Sequence, residues 1–476
     1  MMVDPPRFDR RLSDLDALLW SLEAHPLLRS NILAVASLAR SPGIVALNEH
    51  MERASRLLPR LRHRVVGGPL GIAPPRWELD PAFDLGYHVR RVGAAGAGVD
   101  HGSGHWAPLL ELAEPMATEC FDPARPLWKM VLVEGLDGDR AGLVVKVHHA
   151  FTDGVGAVRL AMALFDLSAE RTREAMPPKP DEASSTGIER AWDDADYEVR
   201  RGLALARRAL PWMARGLRDS LAAPEDRARQ AVELVRSARR LAGPARHPLS
   251  PVMTGRSLRT RLGVVDFPLD EMRASARAAG GTLNDAFLAG VTGGLRRYHD
   301  KHGSRPDHLR LGMAVNRRRA GTEDAAGTDD VVGNMFAPLR LSVALQVTDP
   351  FARVAGLSSL VHEVRSEPVL DLFEAAAAVA GHTPAAVSAA LAAAMLATDV
   401  VASNVPGAPV PLWLAGVEVQ RLVAFGPRSG SGLNLTLLSH DGRVEVGINM
   451  DPQATPDTDT LMACLRSGFD EILELR

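Results

Sequence analysis

The run Val147-His148-His149-Ala150-Phe151-Thr152-Asp153-Gly154 closes an apolar stretch and gathers residue types suited to proton transfer. An imidazole titrates near neutrality and suits removal of a proton from a hydroxyl, general-base catalysis worth ~10²–10⁴-fold. Adjacent side chains on a strand point to opposite faces, so His148 and His149 are not expected to share a metal ion. One can face a cleft as a base while the other packs or hydrogen-bonds inside. Asp153, four residues beyond His149, can hold the loop in shape or orient the imidazole, and Gly154 allows a tight entry into a helix. The spacing alone also fits two satisfied core histidines and an ordinary Asp-Gly turn.

The flanking pattern predicts the elements that position this run. Leu127 to Glu134 and Leu143 to Val147 read as strands separated by the turn residues Asp137, Gly138 and Asp139. Gly154 to Leu167 reads as a helix, with Val155, Val158, Met162 and Phe165 at three- and four-residue spacing. After Ser257 a second αβ region begins. It has strands at Arg259 to Phe267, Leu309 to Val315 and Leu339 to Val347, and a helix from Asn284 to Tyr298. Further strands are expected at Asp399 to Ala402, Gly416 to Val423, Leu433 to Ser439 and Arg443 to Asn449, the last two joined by an Asp441-Gly442 turn. Thr282 and Asp285 make a capping box at the start of the helix, which by itself explains the acidic residue.

At 476 residues and 46% hydrophobic, the chain can bury a large core. Its 55 basic and 58 acidic residues nearly balance, which excludes a nucleic-acid binder working through a general basic field. The balance hides a segregation. Arg200 to Arg246 holds 12 arginines and four acidic residues, interleaved with Leu203, Leu210, Trp212 and Leu217, so helices with basic and apolar faces are expected there. Units are expected at 1–170 and 251–476, with a Pro-rich, then Arg-rich helical linker at 171–250. Cys120 and Cys464 have no partner spacing, which excludes a disulfide framework and a Cys-x-x-Cys zinc site and suits a reducing, cytoplasmic location. No secretory signal is readable in Met1 to Leu12. Thirteen alanines in Phe373 to Ala397, interrupted by Glu374, His382 and Pro384, read as packed helices and not a membrane span. There is no Gly-x-Ser-x-Gly elbow and no phosphate-binding glycine loop, so covalent serine chemistry, nucleotide hydrolysis and nicotinamide redox chemistry have no local support.

The His148-to-Gly154 run resembles the HHxxxDG signature of the bacterial wax ester synthase/diacylglycerol acyltransferase family. Pro126-Leu127-Trp128 is similar to its PLW element, Asn284-Asp285 to its ND element, and Asn404-Val405-Pro406-Gly407 to its NVPG element. Leu12 to Ala17 and Gly432 to Thr436 also look familial, so the similarity spans nearly the whole chain. The resemblance implies an α/β (α+β) fold of two chloramphenicol-acetyltransferase-like domains with an active-site tunnel between them. It also implies an O-acyltransferase in which His149 takes the proton of an acceptor alcohol that attacks the thioester of acyl-CoA, without a covalent acyl-enzyme. His148 and Asp153 complete the catalytic set, Asp153 chiefly structural and turned toward an arginine, with Arg318 as partner. Ala314 stands where the family often has proline. Gly154, Asn284, Asn404, Asn434 and Thr436 are expected on the substrate side, Asn434 and Thr436 as oxyanion candidates. Pro126, Trp128 and Asp285 are expected to support the site. No cofactor or metal is called for, because acyl-CoA is a substrate. The expected acceptors are diacylglycerol and long-chain alcohols; the alternatives are a related transferase with a carrier-protein acyl donor or a complex-lipid acceptor, and a non-catalytic lipid-inclusion binding protein. An acyl chain of about sixteen carbons carries ~12 kcal/mol of transfer free energy at ~0.8 kcal/mol per CH₂, so an apolar tunnel or a nearby membrane is needed. The basic segment suits peripheral attachment to the inner face of the plasma membrane or to lipid inclusions.

Overall fold

At Asp137 to Asp139 the chain makes a single 3-10 turn, with Asp139 at φ 62°, and reverses into an antiparallel partner. That hairpin lies in the first of two six-stranded sheets. The computed structural model describes residues 10–69, 71–94, 106–151, 164–170, 175–181, 186–222, 247–315, 337–365 and 395–475, with positions 229 and 232.

The early part of the chain holds β1 (Asn31–Leu38), β2 (His63–Val66), β3 (Arg76–Leu79), β4 (Val89–Gly93), β5 (Trp128–Glu134) and β6 (Ala141–His148). Among them lie α1 (Asp14–Leu22), α2 (Ile44–Leu57), the one-turn α3 (Leu85–His88) and α4 (Ala107–Thr118). A long helix, α5 (Gly187–Ala222), follows. The later part opens with β7 (Arg261–Pro268), α6 (Leu269–Ala278), α7 (Leu283–Lys301), β8 (His308–Val315), β9 (Ala337–Ala344) and α8 (Pro350–Arg365). It closes with β10 (Val400–Val405), β11 (Leu412–Leu414), β12 (Val417–Phe425), β13 (Leu433–His440), β14 (Arg443–Met450) and α9 (Thr458–Leu473). The strand expected at Leu339 to Val347 sits slightly earlier, at Ala337–Ala344. The helix expected from Gly154 and the alanine-rich helices of Phe373 to Ala397 lie almost wholly outside the described residues.

The sheet orders are β11-β12-β1-β6-β5-β4 and β7-β14-β13-β10-β8-β9. Residues 412–425, expected inside the unit 251–476, therefore lie in the first sheet, where β12 pairs antiparallel with β1. Strand alternation predicts a strand but not its partner, and this pairing joins opposite ends of the chain. The crossing needs close backbone approach. A Cβ on Gly447 of β14 would sit 2.0 Å from the Ala424 carbonyl oxygen of β12, and a Cβ on Gly407 would sit 2.0 Å from that of Ser439. Only glycine fits such positions.

The capping box forms as expected: the Thr282 hydroxyl accepts from the Asp285 N–H, and Asp285 Oδ2 accepts from the Thr282 N–H. Between Asp441 and Gly442, at φ 43° and 74°, the β13–β14 hairpin makes the two-residue turn that matches strand twist. Helix α4 packs on β1 and β6, and its Glu114 accepts a hydrogen bond from the Leu262 N–H of β7, 3.0 Å away, linking the two halves. The early turns of α5 are pinned to the first half. Asp194 is fully buried between Arg11 and Arg76, and Arg190 and Arg201 pair with Glu78 and Asp14.

Candidate active site

Strand β6 is buried along its whole length, as a central strand of an apolar sheet must be, and it ends at His148. His149 to Phe151 then wind into one 3-10 turn. The two histidines thus differ less by strand alternation than by the strand's end: His148 is the last residue in the sheet, paired with Asn31 of β1, and His149 is the first outside it.

His148 is fully buried. Its Nδ1 accepts from the Ala150 N–H at 3.1 Å, so that nitrogen carries no proton and Nε2–H faces Glu23 Oε1 at 3.0 Å. The edges of Trp20 and Phe121 close around the ring. His148, grouped above with the catalytic candidates, therefore sits behind the loop and not in front of it. Glu23 also accepts the Ser30 N–H at 2.6 Å, and the Ser30 carbonyl accepts the His149 N–H at 2.8 Å. Burial works to raise the Glu23 carboxyl. The hydrogen bond from His148, its electrostatic pull and the Ser30 N–H carry it below the usual carboxylate range. Hydrogen bonds to a charged group are worth about 1.5–3 kcal/mol each, so the loop is firmly tied. Glu23 was not singled out from sequence. Its only signal is an acidic residue ending the apolar run Leu18-Leu19-Trp20-Ser21-Leu22, and nothing in the spacing links position 23 to 148.

His149 is partly accessible. Desolvation, with His148 beside it, pushes its imidazole down to about 4. A general base must be unprotonated, so the sign favours activity: His149 stays neutral well below the usual histidine range. In kcat/KM profiles, which report the free enzyme, the acid limb governed by His149 should fall with an apparent pKa near 4. Half-maximal kcat/KM near 6.5 would contradict this placement.

Pro126 is buried just ahead of β5, which Trp128 opens. Trp128 is buried, its Nε1–H donates to the Leu61 carbonyl at 2.8 Å, and its ring stacks on His88 at 4.5 Å. The Leu127 carbonyl, between them, accepts the His148 N–H at 3.0 Å. Asp285 serves the helix cap, while the half-buried Asn284 keeps an Nδ2 with no partner among the described residues. Asn404 is exposed near the end of β10. Asn434 and Thr436 are buried and engaged: Thr436 Oγ1–H donates to Asn434 Oδ1, Asn434 Nδ2 donates to the Pro427 carbonyl, and Thr436 Oγ1 accepts the Gly426 N–H. These bonds clamp the end of the crossover strand, so the Thr436 proton is not available to an oxyanion. Asp153, Gly154 and Arg318 lie outside the described residues.

At the junction of the halves a cavity of about 520 Å³ is lined by Glu114, Thr118, Arg259, Thr260 and Arg261. His149 does not line it. A smaller recess shares Thr118 and Thr260 with it and reaches Arg29, one residue before the Ser30 carbonyl that holds His149.

The catalytic-domain model of the wax ester synthase/diacylglycerol acyltransferase family matches residues 12–287, and the C-terminal-domain model matches residues 332–473. A putative diacylglycerol O-acyltransferase of Mycobacterium tuberculosis H37Rv is 34% identical over 485 residues, covering 99% of this chain and 93% of that protein. Among solved structures, a wax ester synthase/diacylglycerol acyltransferase from Marinobacter aquaeolei VT8 superposes with a TM-score of 0.62 at 20% identity, covering 97% and 98% of the two chains. The first condensation domain of the calcium-dependent antibiotic synthetase superposes with a TM-score of 0.57 at 15% identity, covering 99% and 97%. Both structural likenesses are of the two-domain fold. With both family models matched in order and the HHxxxDG run inside the first, the chain belongs to the wax ester synthase/diacylglycerol acyltransferase family.

Proposed function

We propose that the protein transfers a long-chain acyl group from acyl-CoA to the hydroxyl of diacylglycerol, a long-chain alcohol, or both. The observation that carries this is the place of His149, the first residue beyond a buried strand within a matched acyltransferase catalytic domain, where desolvation favours the neutral imidazole. His149 takes the hydroxyl proton as the alcohol oxygen attacks the thioester carbonyl. The tetrahedral intermediate then collapses, the C–S bond breaks, and the proton passes to the departing CoA sulfur. No acyl group is held by the protein, and neither cysteine lies beside His149 in sequence. Asp153 is read as holding the loop, with Arg318 as its partner.

A lipid acceptor brings the protein to a lipid surface. Among the described residues no helix is long and apolar enough to cross a membrane. Ile188, Trp192, Val199 and Leu203 of α5 are exposed, 74% in the case of Trp192, and follow steps of four, seven and four residues that put them on one helix face. The Arg200-to-Arg246 segment adds the positive charge that favours anionic headgroups. Together these support peripheral attachment to a membrane or lipid inclusion.

The test is transfer of radiolabelled acyl from acyl-CoA to a panel of diacylglycerols and fatty alcohols, with an acyl-carrier donor alongside. Labelled triacylglycerol or wax ester from acyl-CoA is the expected result. Binding of acyl-CoA without turnover, or transfer from the carrier donor alone, would overturn it.

A further inference from the structure

Four residues close a ring around the base of the His149 turn. Glu23 Oε1 accepts the Ser30 N–H, the Ser30 carbonyl accepts the His149 N–H, His149 is bonded to His148, and His148 Nε2–H returns to the same Glu23 oxygen. One carboxylate oxygen thus grips both arms of the loop: a side-chain arm through His148 and a backbone arm through Ser30. Ser30 is 1% exposed and His148 0%, so neither arm has water to replace a lost partner. Outside the ring, Ala150 N–H fixes the His148 tautomer, so His148 can only offer its proton to Glu23.

We propose that Glu23 is a positioning residue for the acyl transfer, setting where His149 stands through Ser30 and His148; this rests on the reading of His149 as the general base. Both peptide groups of Ser30 are engaged, its N–H by Glu23 and its carbonyl by His149, so a displacement of Ser30 moves the His149 backbone with it. Freed from the shared oxygen, His148 loses the partner that its Nε2 has among the described residues, and the turn loses its second tie. Glu23 acts through Ser30 and His148 on the position of His149, so the expected effect falls on kcat and not on KM. A misplacement of about 1 Å can cost 10²-fold in rate.

The test compares Glu23→Ala, Glu23→Gln and His149→Ala in the full chain, with activity normalised to folded protein by circular dichroism well below the melting temperature. Glu23→Ala should lower kcat about 10²-fold with an acyl-CoA KM close to that of the unmodified protein. Glu23→Gln, whose amide oxygen can still accept both hydrogen bonds, should recover most of that rate. A carboxylate that only stabilised the fold would lower the melting temperature and leave kcat per folded molecule unchanged, which would overturn the proposal. So would a loss in Glu23→Ala carried by KM, or a Glu23→Gln no better than Glu23→Ala. Should Glu23→Ala not fold, Glu23→Asp takes its place: the charge remains but the oxygen is withdrawn from both donors, so kcat should fall, and full kcat overturns the inference. Full activity in His149→Ala would sink the reading of the base itself; an inactive His149→Ala beside a fully active Glu23→Ala would sink only the role of Glu23.

Discussion

Purified His149→Ala should lose acyl transfer by about 10²–10⁴-fold, the range for removal of a general base, while keeping a folded circular dichroism spectrum. The structure gives both halves of that expectation. The ties described above run through the His149 backbone N–H, the Ala150 N–H, His148 and Glu23. Truncation at Cβ leaves those ties in place. What is removed is a neutral imidazole whose proton affinity burial has already lowered. Such a group trades some basicity for being unprotonated at every working pH, and a hydroxyl held against it can lose its proton as the thioester carbonyl is attacked. A His149→Ala protein that remained folded and retained full transfer activity would end the proposed mechanism.

Gly447→Ala should cost stability out of proportion to one methyl group. Its Cβ would lie 2.0 Å from the Ala424 carbonyl oxygen and 3.0 Å from the Ala424 carbonyl carbon, and neither can turn aside as a side-chain tip can. The strain falls on β12, where it crosses β14 on its way to pair with β1. Overpacking of this kind costs typically about 1–3 kcal/mol, and contact with backbone favours the upper end. A fall of several degrees in the first thermal transition is expected, with lower activity because β1 leads out of Ser30. An unchanged melting temperature would show that the crossing tolerates a side chain and that the halves are less tightly joined than their geometry indicates.

The contrast between these two sites shows what the sequence made legible. The His148-to-Gly154 run, the PLW element and the capping box at Thr282 are local: their chemistry is complete within a few residues, so spacing reveals it. The same holds for the hairpin turns at Asp137 to Asp139 and at Asp441-Gly442, where turn residues fix the reversal directly. The alternation argument separated the histidines but missed the reason, which is that β6 stops between them. Asn434 and Thr436 entered as oxyanion candidates through the family resemblance of Gly432 to Thr436. Their engagement with Gly426 and Pro427 depends on a crossover that no short window encodes. Glu23 was invisible for the same reason: it meets His148 only once α1 and β6 have packed together.

The crossover also dictates an order of events. Val35 of β1 pairs with Val423 of β12, so while the chain is being synthesised the outer edge of β1 has no native neighbour until almost all of it has emerged. An unpaired apolar strand edge is a template for pairing with other chains. The first sheet can gather β4, β5, β6 and β1 early, yet it stays open on the side next to the strand that ends at the base. Assembly of the catalytic turn and closure of the molecule are thus separate events, the second slow because it closes the long loop between β1 and β12. Newly made protein should be most vulnerable to aggregation, and most dependent on chaperones, in the interval between them.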